Sequence, residues 1–172
     1  MLLQEIRARQ AMIELGEDNY TLQIEHSTPI TKINDVVYSL IFPKSLLKYN
    51  NVDKDIDILF IGLITEKRKS FLSNFPDATI TSSNRGRNIN TKQYDIGYFK
   101  NMARSKFTLC PNGDFTWTYR FFEAIIFKSI PIIEDYTYHY NGYHYYTKDD
   151  KFIYNDIWVD ENLHKLKKEM ML

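Results

Sequence analysis

The sequence predicts an α/β fold in which a parallel sheet carries helices on both faces, half of a doubly wound domain. Two observations lead there. From Asp55 onward, runs of strand length alternate with stretches of helical period in the order strand, helix, strand, helix, strand, helix, strand. Short connections in such a series require right-handed crossovers onto a parallel sheet. The first run, "IDILFIG" at 56–62, is apolar almost throughout and ends in glycine, as expected of a central strand buried on both faces.

Ahead of that series, residues 2–15 carry Leu2, Leu3, Ile6, Ile13 and Leu15 on a roughly helical period and stop at Gly16, which predicts a helix. "YTLQIE" alternates Tyr20, Leu22 and Ile24 with polar neighbours, the pattern of a strand with one buried face. Residues 35–43 fit a short helix or a strand, and the polar "KYNNVDKD" after them reads as a linker. Within the regular series, Thr65 caps a helix that runs to about Phe75 and is stopped by Pro76. "ATITS" is the second strand, "YDIGYFKNMAR" the second helix, "KFTLC" the third strand, "TWTYRFFEAIIFK" the third helix and "IPIIE" the fourth strand. Beyond it, "YTYHYNGYHYY" sets Asn141-Gly142 between alternating aromatics, a signal for a type I′ hairpin. The tail has Leu163, Leu166 and Met170 at helical spacing, with Asp160 as the expected N-cap.

At 172 residues the chain is long enough to bury about two-thirds of its extended surface in one core, and too short for a second full domain. Lys plus Arg equals Asp plus Glu at 22 each, so global charge points to neither nucleic acid nor an anionic membrane. No basic stripe interleaved with aromatics marks an RNA-binding face. The local balance differs. Between Ile64 and Lys106 stand nine basic residues (Lys67, Arg68, Lys69, Arg85, Arg87, Lys92, Lys100, Arg104, Lys106) and three acidic ones (Glu66, Asp77, Asp95). That surplus is either a solvated face or suited to a compact anion such as a diphosphate.

The single cysteine, Cys110, excludes an internal disulfide framework and a Cys-rich zinc site, and its apolar run makes it a small buried hydrophobe. Glu5, Arg7 and Arg9 interrupt the start where a signal peptide needs apolar residues, and no apolar stretch of 18 residues occurs. The expectation is therefore no membrane span and a reducing, cytoplasmic setting. No Asp, Glu or His cluster has metal-ligand spacing, so no metal or other cofactor is expected.

In an open α/β sheet, ligands bind outside the carboxyl ends of the strands, where loops meet helix starts. Two loops stand out. In "GLITEKRK", Gly62 ends a buried strand and Lys67, Arg68 and Lys69 follow, as solvated side chains or as anion contacts. In "CPNGDFTWTYRFFEA", the Asn112-Gly113 turn leads into a helix expected to start near Thr116, whose free N–H groups and positive dipole end favour an anion. Thr116 and Thr118 offer hydroxyls or simple caps, and Arg120 lies one turn in. Glu123 stands between Phe121-Phe122 and Ala124-Ile125-Ile126, where an unpaired carboxylate is costly. It either pairs with Arg120 at i, i+3 or accepts hydrogen bonds from vicinal sugar hydroxyls. Of the histidines, His26 lies after the first strand as a loop residue or a group facing a cleft. His139 and His144 sit in the Tyr-rich stretch, and His164 reads as helix surface.

The stretch "SKFTLCPNGDFTWTYRFFEAIIFKSIPIIED" resembles the exostosin-type glycosyltransferases, with their "CP-x-GD" turn, their "R-x-(F/L)-(E/D)-A" helix and their "IPVI"-like strand. The similarity extends through "ILFIGLITEKRKSFL" and "YFKNMARS", covering roughly residues 55–135. It implies the GT-B architecture of two Rossmann-like domains, the C-terminal one binding the nucleotide sugar without a metal. By resemblance, Glu123 holds the ribose, and Arg120 lies near the donor phosphates or sugar. Arg68 lies at the diphosphate, and Gly113, Asp114, Thr116 and Thr118 lie in the turn facing the donor. With Gly62, Lys67 and Asn112 these make the expected donor site, Asp114 and Arg120 being the catalytic candidates. Related retaining families often carry another acid eight positions before the ribose-binding one. That position is Phe115, with Asp114 adjacent.

Two readings of function follow. In the first, the chain is a glycosyltransferase moving a sugar from a nucleotide-diphosphate donor to a glycan hydroxyl. In the second, it is a non-catalytic nucleotide-sugar-binding or assembly module. Residues 1–50 are expected to be a remnant or linker of an acceptor-side domain, and residues 51–172 the donor-binding domain. A homodimer or a separate acceptor-domain partner would then complete the cleft.

Overall fold

The computed structural model describes residues 3–83 and 94–172; Leu2, Arg85, Arg87 and Lys92 lie outside them. Helix α1 (Leu3–Glu14) is followed by three short antiparallel strands, β1 (Leu22–Ile24), β2 (Thr31–Ile33) and β3 (Val36–Tyr38). The α/β series then runs β4 (Ile56–Gly62), α2 (Glu66–Leu72), β5 (Thr79–Ser82), α3 (Ile96–Ala103), β6 (Ser105–Cys110), α4 (Tyr119–Ile126) and β7 (Ile130–Ile133). A short β8 (Tyr146–Thr147) and α5 (Asp156–Met170) complete it. All five strands of the second sheet pair in parallel, in the order β5-β4-β6-β7-β8.

Alternation along the strands separates two cores. Leu59, Ile61, Cys110 and Ile133 face α3, α4 and α5, packing with Phe99, Met102, Phe121, Phe122 and Leu166. Phe60, Phe107, Leu109, Ile130 and Ile132 face the other way, onto Phe71 and Leu72 of α2. This is the predicted doubly wound half-fold, with β4 an interior strand flanked by β5 and β6 and buried from Leu59 to Gly62.

Local chemistry accounts for the helix ends. Thr65, Asp95 and Asn155 each accept a backbone N–H at the start of α2, α3 and α5. Asn155 therefore replaces Asp160 as the N-cap of the last helix, which begins a turn earlier than the sequence suggests. Gly16, at φ 74°, closes α1 with Glu17 N–H donating to Met12 O and Gly16 N–H to Ile13 O, a Schellman motif. The buried side of α1 differs from its apolar period. Leu3, Ile13 and Leu15 are exposed, while Gln4, Ile6, Ala8, Gln10, Ala11 and Met12 are covered. Gln4 Nε2 donates to Ile30 O and Thr31 Oγ1, so polar residues dock the helix on the small sheet.

Two further expectations are corrected. No hairpin forms at Asn141-Gly142. Asn141 has φ −58° and ψ 136°, Gly142 has φ 81°, and Tyr143 N–H donates to Tyr140 O, the geometry of a type II turn. Type I′ needs positive φ at both central residues. The following strand, β8, runs parallel to β7. The polar stretch at 48–55 is also not a passive linker: Asn50 Nδ2 donates to Ile126 O, and Lys54 Nζ donates to Ala103 O and Phe127 O. Both side chains thus satisfy carbonyls at the C-terminal ends of α3 and α4.

The N-terminal region is joined to the α/β core rather than strung beside it. Leu40, Phe42 and Leu46 belong to the α3–α4–α5 core. Phe42 N–H donates to Met170 O, Leu172 N–H to Phe42 O and Lys44 N–H to Leu172 O, so the C-terminal residues pair in parallel with residues 42–44.

Candidate functional site

In a sheet of order β5-β4-β6-β7-β8 the chain leaves β4 toward one edge and returns on its other side. The carboxyl ends of β4 and β6 therefore flank the crevice where the winding reverses. The expected site residues gather in the segments that follow these two ends.

Arg120, on α4, reaches back to β4. Its Nε donates to Ile61 O at 3.1 Å, and its guanidinium lies over the Phe60 ring, 4.7 Å from the centroid. Glycine at 62 permits this approach, since a Cβ there would overlap Arg120 Nη2. Arg68, on α2, makes the counterpart contact. Its Nη1 donates to Leu63 O at 2.8 Å and its Nε to Asn112 O at 3.2 Å, tying the loop after β4 to the loop after β6. Gly113 lies against it, where a Cβ would stand 3.0 Å from Arg68 Nη2. Two arginines thus lie against two glycines at the ends of neighbouring strands, where bare backbone can be approached closely.

Asn112 is clamped by acids the sequence reading passed over. Its N–H donates to Glu134 Oε2 at 2.8 Å and its Nδ2 to Asp135 Oδ2 at 2.6 Å. The signal was present: "ED" directly follows β7, at the same end of the sheet. Asn112 Oδ1 is nevertheless buried without a partner.

The helix after the turn starts at Tyr119, three residues later than expected, because residues 113–118 form a loop. Thr118 N–H donates to the buried Tyr140 hydroxyl at 2.9 Å, which holds that loop off the helical path. Arg120 consequently sits in the first turn of α4, and Glu123 one turn in. Thr118 occupies the N-cap but makes no side-chain cap bond, unlike the caps of α2, α3 and α5, and its Oγ1 is buried and unpartnered. Asp114 and Thr116 are exposed on the loop, and Lys67 is exposed on α2.

Glu123 is 2% exposed, and its Oε2 has no hydrogen-bond partner. Among the described residues it forms no ion pair with Arg120, whose Nε is turned to Ile61 O instead. Its field reaches inward. Burial raises the Tyr98 and Tyr119 phenols well above their ordinary range, and the Glu123 carboxylate adds to both shifts. Burial also pushes the Cys110 thiol up to about 12, with Arg120 opposing and Glu123 reinforcing, so Cys110 is an inert packing residue.

Two contributions come from the N-terminal region. Trp117 Nε1 donates to Ser27 O at 3.0 Å, which sets the tip between β1 and β2, with the exposed His26, beside the loop after β6. Arg7 of α1 lies 5.7 Å from the centroid of the Tyr94 ring, with Nη1 donating to Gln10 Oε1 and Nε buried without a partner. The sequence reading treated Arg7 only as a charge interrupting an apolar run. Its spacing from the buried Gln4 and Ala11 was the available signal for a residue on the covered side. The remaining histidines lie in other surroundings: His144 pairs with Glu161 and stacks on Trp158, His139 lies tilted against the Tyr138 ring, and His164 is exposed on α5.

Part of the basic surplus at 64–106 is offset by acids outside the stretch, in the pairs Arg104–Asp55 and Lys106–Asp57, while Lys69 pairs with Glu66 inside it. No helix of the described residues is long and apolar enough to cross a membrane. Among the described residues no three His, Cys, Asp or Glu side chains group so as to hold a metal ion.

Comparison with curated proteins gives no match. Comparison with family models gives one that spans most of the chain, including α1 and the small sheet as well as the α/β series. Residues 4–142 match the Exostosin GT47 domain, and the chain accordingly belongs to that glycosyltransferase family.

Proposed function

We propose that the chain binds a nucleotide-diphosphate sugar at the carboxyl ends of β4 and β6 and transfers the sugar to a glycan hydroxyl. One observation carries this reading. Of the four buried side-chain polar atoms without a partner among the described residues, three lie between residues 112 and 123: Asn112 Oδ1, Thr118 Oγ1 and Glu123 Oε2. Leaving such groups unsatisfied costs about 1–3 kcal/mol each, so their concentration in one short segment fits a ligand that completes them. The diphosphate belongs at the uncapped start of α4, between Arg68 and Arg120, where N–H groups and positive charge stabilise the departing anion. The ribose belongs at Glu123, whose carboxylate accepts from a vicinal diol. Asp114, exposed on the loop that leads from β6 to α4, is the candidate for a catalytic carboxylate. Lysines and arginines do the work of a cation here, so donor binding is expected to be indifferent to a chelator.

A second reading, a binding or assembly module that keeps the donor pocket, is favoured by Phe115, an exposed apolar ring at the place where related families often carry an acid. Incubation with a panel of nucleotide sugars, following release of free nucleotide with and without candidate acceptors, separates the two. Turnover supports the enzyme; tight binding without turnover supports the module. Repeating the binding titration with chelator tests the metal-free claim, which abolished binding would overturn. An acceptor side built from a second copy or another protein would appear as turnover that rises with protein concentration or on adding that partner.

A further inference from the structure

Two carboxylates, Glu134 and Asp135, stand at the carboxyl edge of the sheet beside a site read as binding an anion. β6 and β7 pair in parallel with Cys110 opposite Ile133, so the residues just past each strand emerge side by side. Pro111 has no N–H, and the first main-chain donor beyond β6 is therefore that of Asn112, which Glu134 Oε2 accepts at 2.8 Å. Asp135 Oδ2 accepts from Asn112 Nδ2 at 2.6 Å. Asn112, buried, is thus held by its main chain and its side chain at once, through charge-assisted bonds. On its other side its carbonyl accepts from Arg68 Nε at 3.2 Å, while Arg68 Nη1 donates to Leu63 O at 2.8 Å. Two bonds from different nitrogens of a planar guanidinium fix its plane as well as its place. One chain of contacts therefore runs from the end of β7, through Asn112 beyond β6, to Arg68 on α2.

We propose that Glu134 and Asp135 are positioning residues for the donor's diphosphate: by holding Asn112 they set the carbonyl against which Arg68 is aimed. This rests on the donor-site reading above and extends it to the loop after β7. Charge alone gives the opposite expectation, because a carboxylate near a diphosphate repels it. The two acids favour binding only through the geometry they impose. What matters at position 134 is then an acceptor for the Asn112 N–H, and the charge opposes the ligand. Glutamine keeps an acceptor oxygen without the charge, so it should serve as well as glutamate or better.

The test is calorimetric titration of the whole chain with ADP, CDP, GDP and UDP and with the matching nucleosides. It compares the natural protein with Glu134→Ala, Glu134→Gln, Asp135→Ala, Arg68→Ala and the pair Glu134→Ala with Arg68→Ala. Glu134→Ala should weaken a diphosphate that the natural protein binds by about fivefold or more, the effect of one hydrogen bond, and leave nucleoside affinity within about twofold. Glu134→Gln should bind the diphosphate at least as tightly as the natural protein. Once Arg68 is alanine, the further change at 134 should leave diphosphate affinity unaltered, since no guanidinium is left to aim. Asp135→Ala, a change at an exposed position, should show the same selective loss, and it carries the comparison where Glu134→Ala does not fold. Four results assign the acids a structural role and overturn the inference, leaving the donor site standing: unchanged diphosphate affinity or an equal loss for diphosphate and nucleoside in either folded alanine variant, an equal loss with and without Arg68, a Glu134→Gln variant as weak as Glu134→Ala, or failure of both alanine variants to fold. If the natural protein binds no diphosphate, the donor-site reading falls and this inference with it.

Discussion

Replacing Gly62 with alanine tests whether the site's arginine is held by the absence of a side chain. The new methyl would overlap Arg120 Nη2 and stand 3.2 Å from Arg120 Cζ and 3.1 Å from Phe60 Cζ. The guanidinium is the end of a flexible chain, so it yields before the backbone does. On yielding it loses the bond from Nε to Ile61 O and its place over the Phe60 ring. A hydrogen bond from a charged donor is worth about 1.5–3 kcal/mol and a partly exposed cation–π contact about 0.5–1. Water recovers part of the first, which leaves a loss of about 1–2 kcal/mol. For a chain of this length that lowers Tm by about 2–8 °C. Urea denaturation of the natural protein, Gly62→Ala, Arg120→Ala and the double variant measures the coupling. Gly62→Ala should cost only a few tenths of a kcal/mol once Arg120 is gone, the remainder being the Phe60 contact. If Gly62→Ala costs as much without Arg120 as with it, the glycine serves some other purpose and the account of the Arg120 position is wrong.

Glu123→Gln is expected to lose about 1–3 kcal/mol of nucleotide affinity, because the amide removes one of the acceptors a diol needs; unchanged affinity in titration refutes the ribose role. Arg68→Ala should weaken nucleoside diphosphate binding by about 1.5–3 kcal/mol and nucleoside binding hardly at all. An equal loss for the two ligands shows that Arg68 only braces the loops after β4 and β6. Lys54 supplies a pH test. Burial, and to a lesser degree Lys128, lowers its ammonium to about 7, while the unfolded chain keeps its proton to about 10.4. Between those values the unfolded state holds the extra proton, so stability rises with pH, by at most about 1.4 kcal/mol per unit. Denaturant unfolding at pH 6 to 9 should show this rise in the natural protein and not in Lys54→Met; parallel curves refute it. Trp117→Phe removes the bond to Ser27 O and should cost about 1 kcal/mol, with faster amide exchange confined to the tip between β1 and β2; exchange unchanged there refutes the link.

The sheet was legible because its strands are written as apolar runs of strand length, and runs such as 56–62 leave no choice about burial. Caps at Thr65 and Gly16 were legible for the same local reason. What failed is what depends on distant partners. The period of large aliphatics in α1 suggested one buried side, yet the helix docks through Gln4, whose partners at residues 30–31 no local pattern announces. The start of α4 was misplaced because Tyr140, more than twenty residues on, holds the Thr118 N–H. At the site, the turn and Glu123 were visible as polar residues out of place among apolar ones. Glu134 and Asp135, next to β7, and Arg7, in register with Gln4 and Ala11, carried a local signal too, but which residues they meet is decided only by the fold.

The parallel pairing of residues 42–44 with residues 170–172 bears on the order of events as the chain leaves the ribosome. The main-chain groups of Phe42 must wait for partners about 130 residues downstream, and a contact of that sequence separation forms late because the loop it closes is so long. The α/β sheet can be laid down from β4 onward while the first forty residues are still undocked. Seating of α1 then follows the pairing of residues 42–44 with residues 170–172, since Leu172 packs in the same cluster as Ala11 and Met12. The sheet is thus laid down before the segment that packs against it is docked. Pulse-labelled hydrogen exchange during refolding would show it as protection of β4, β6 and β7 preceding protection of Phe42 and α1.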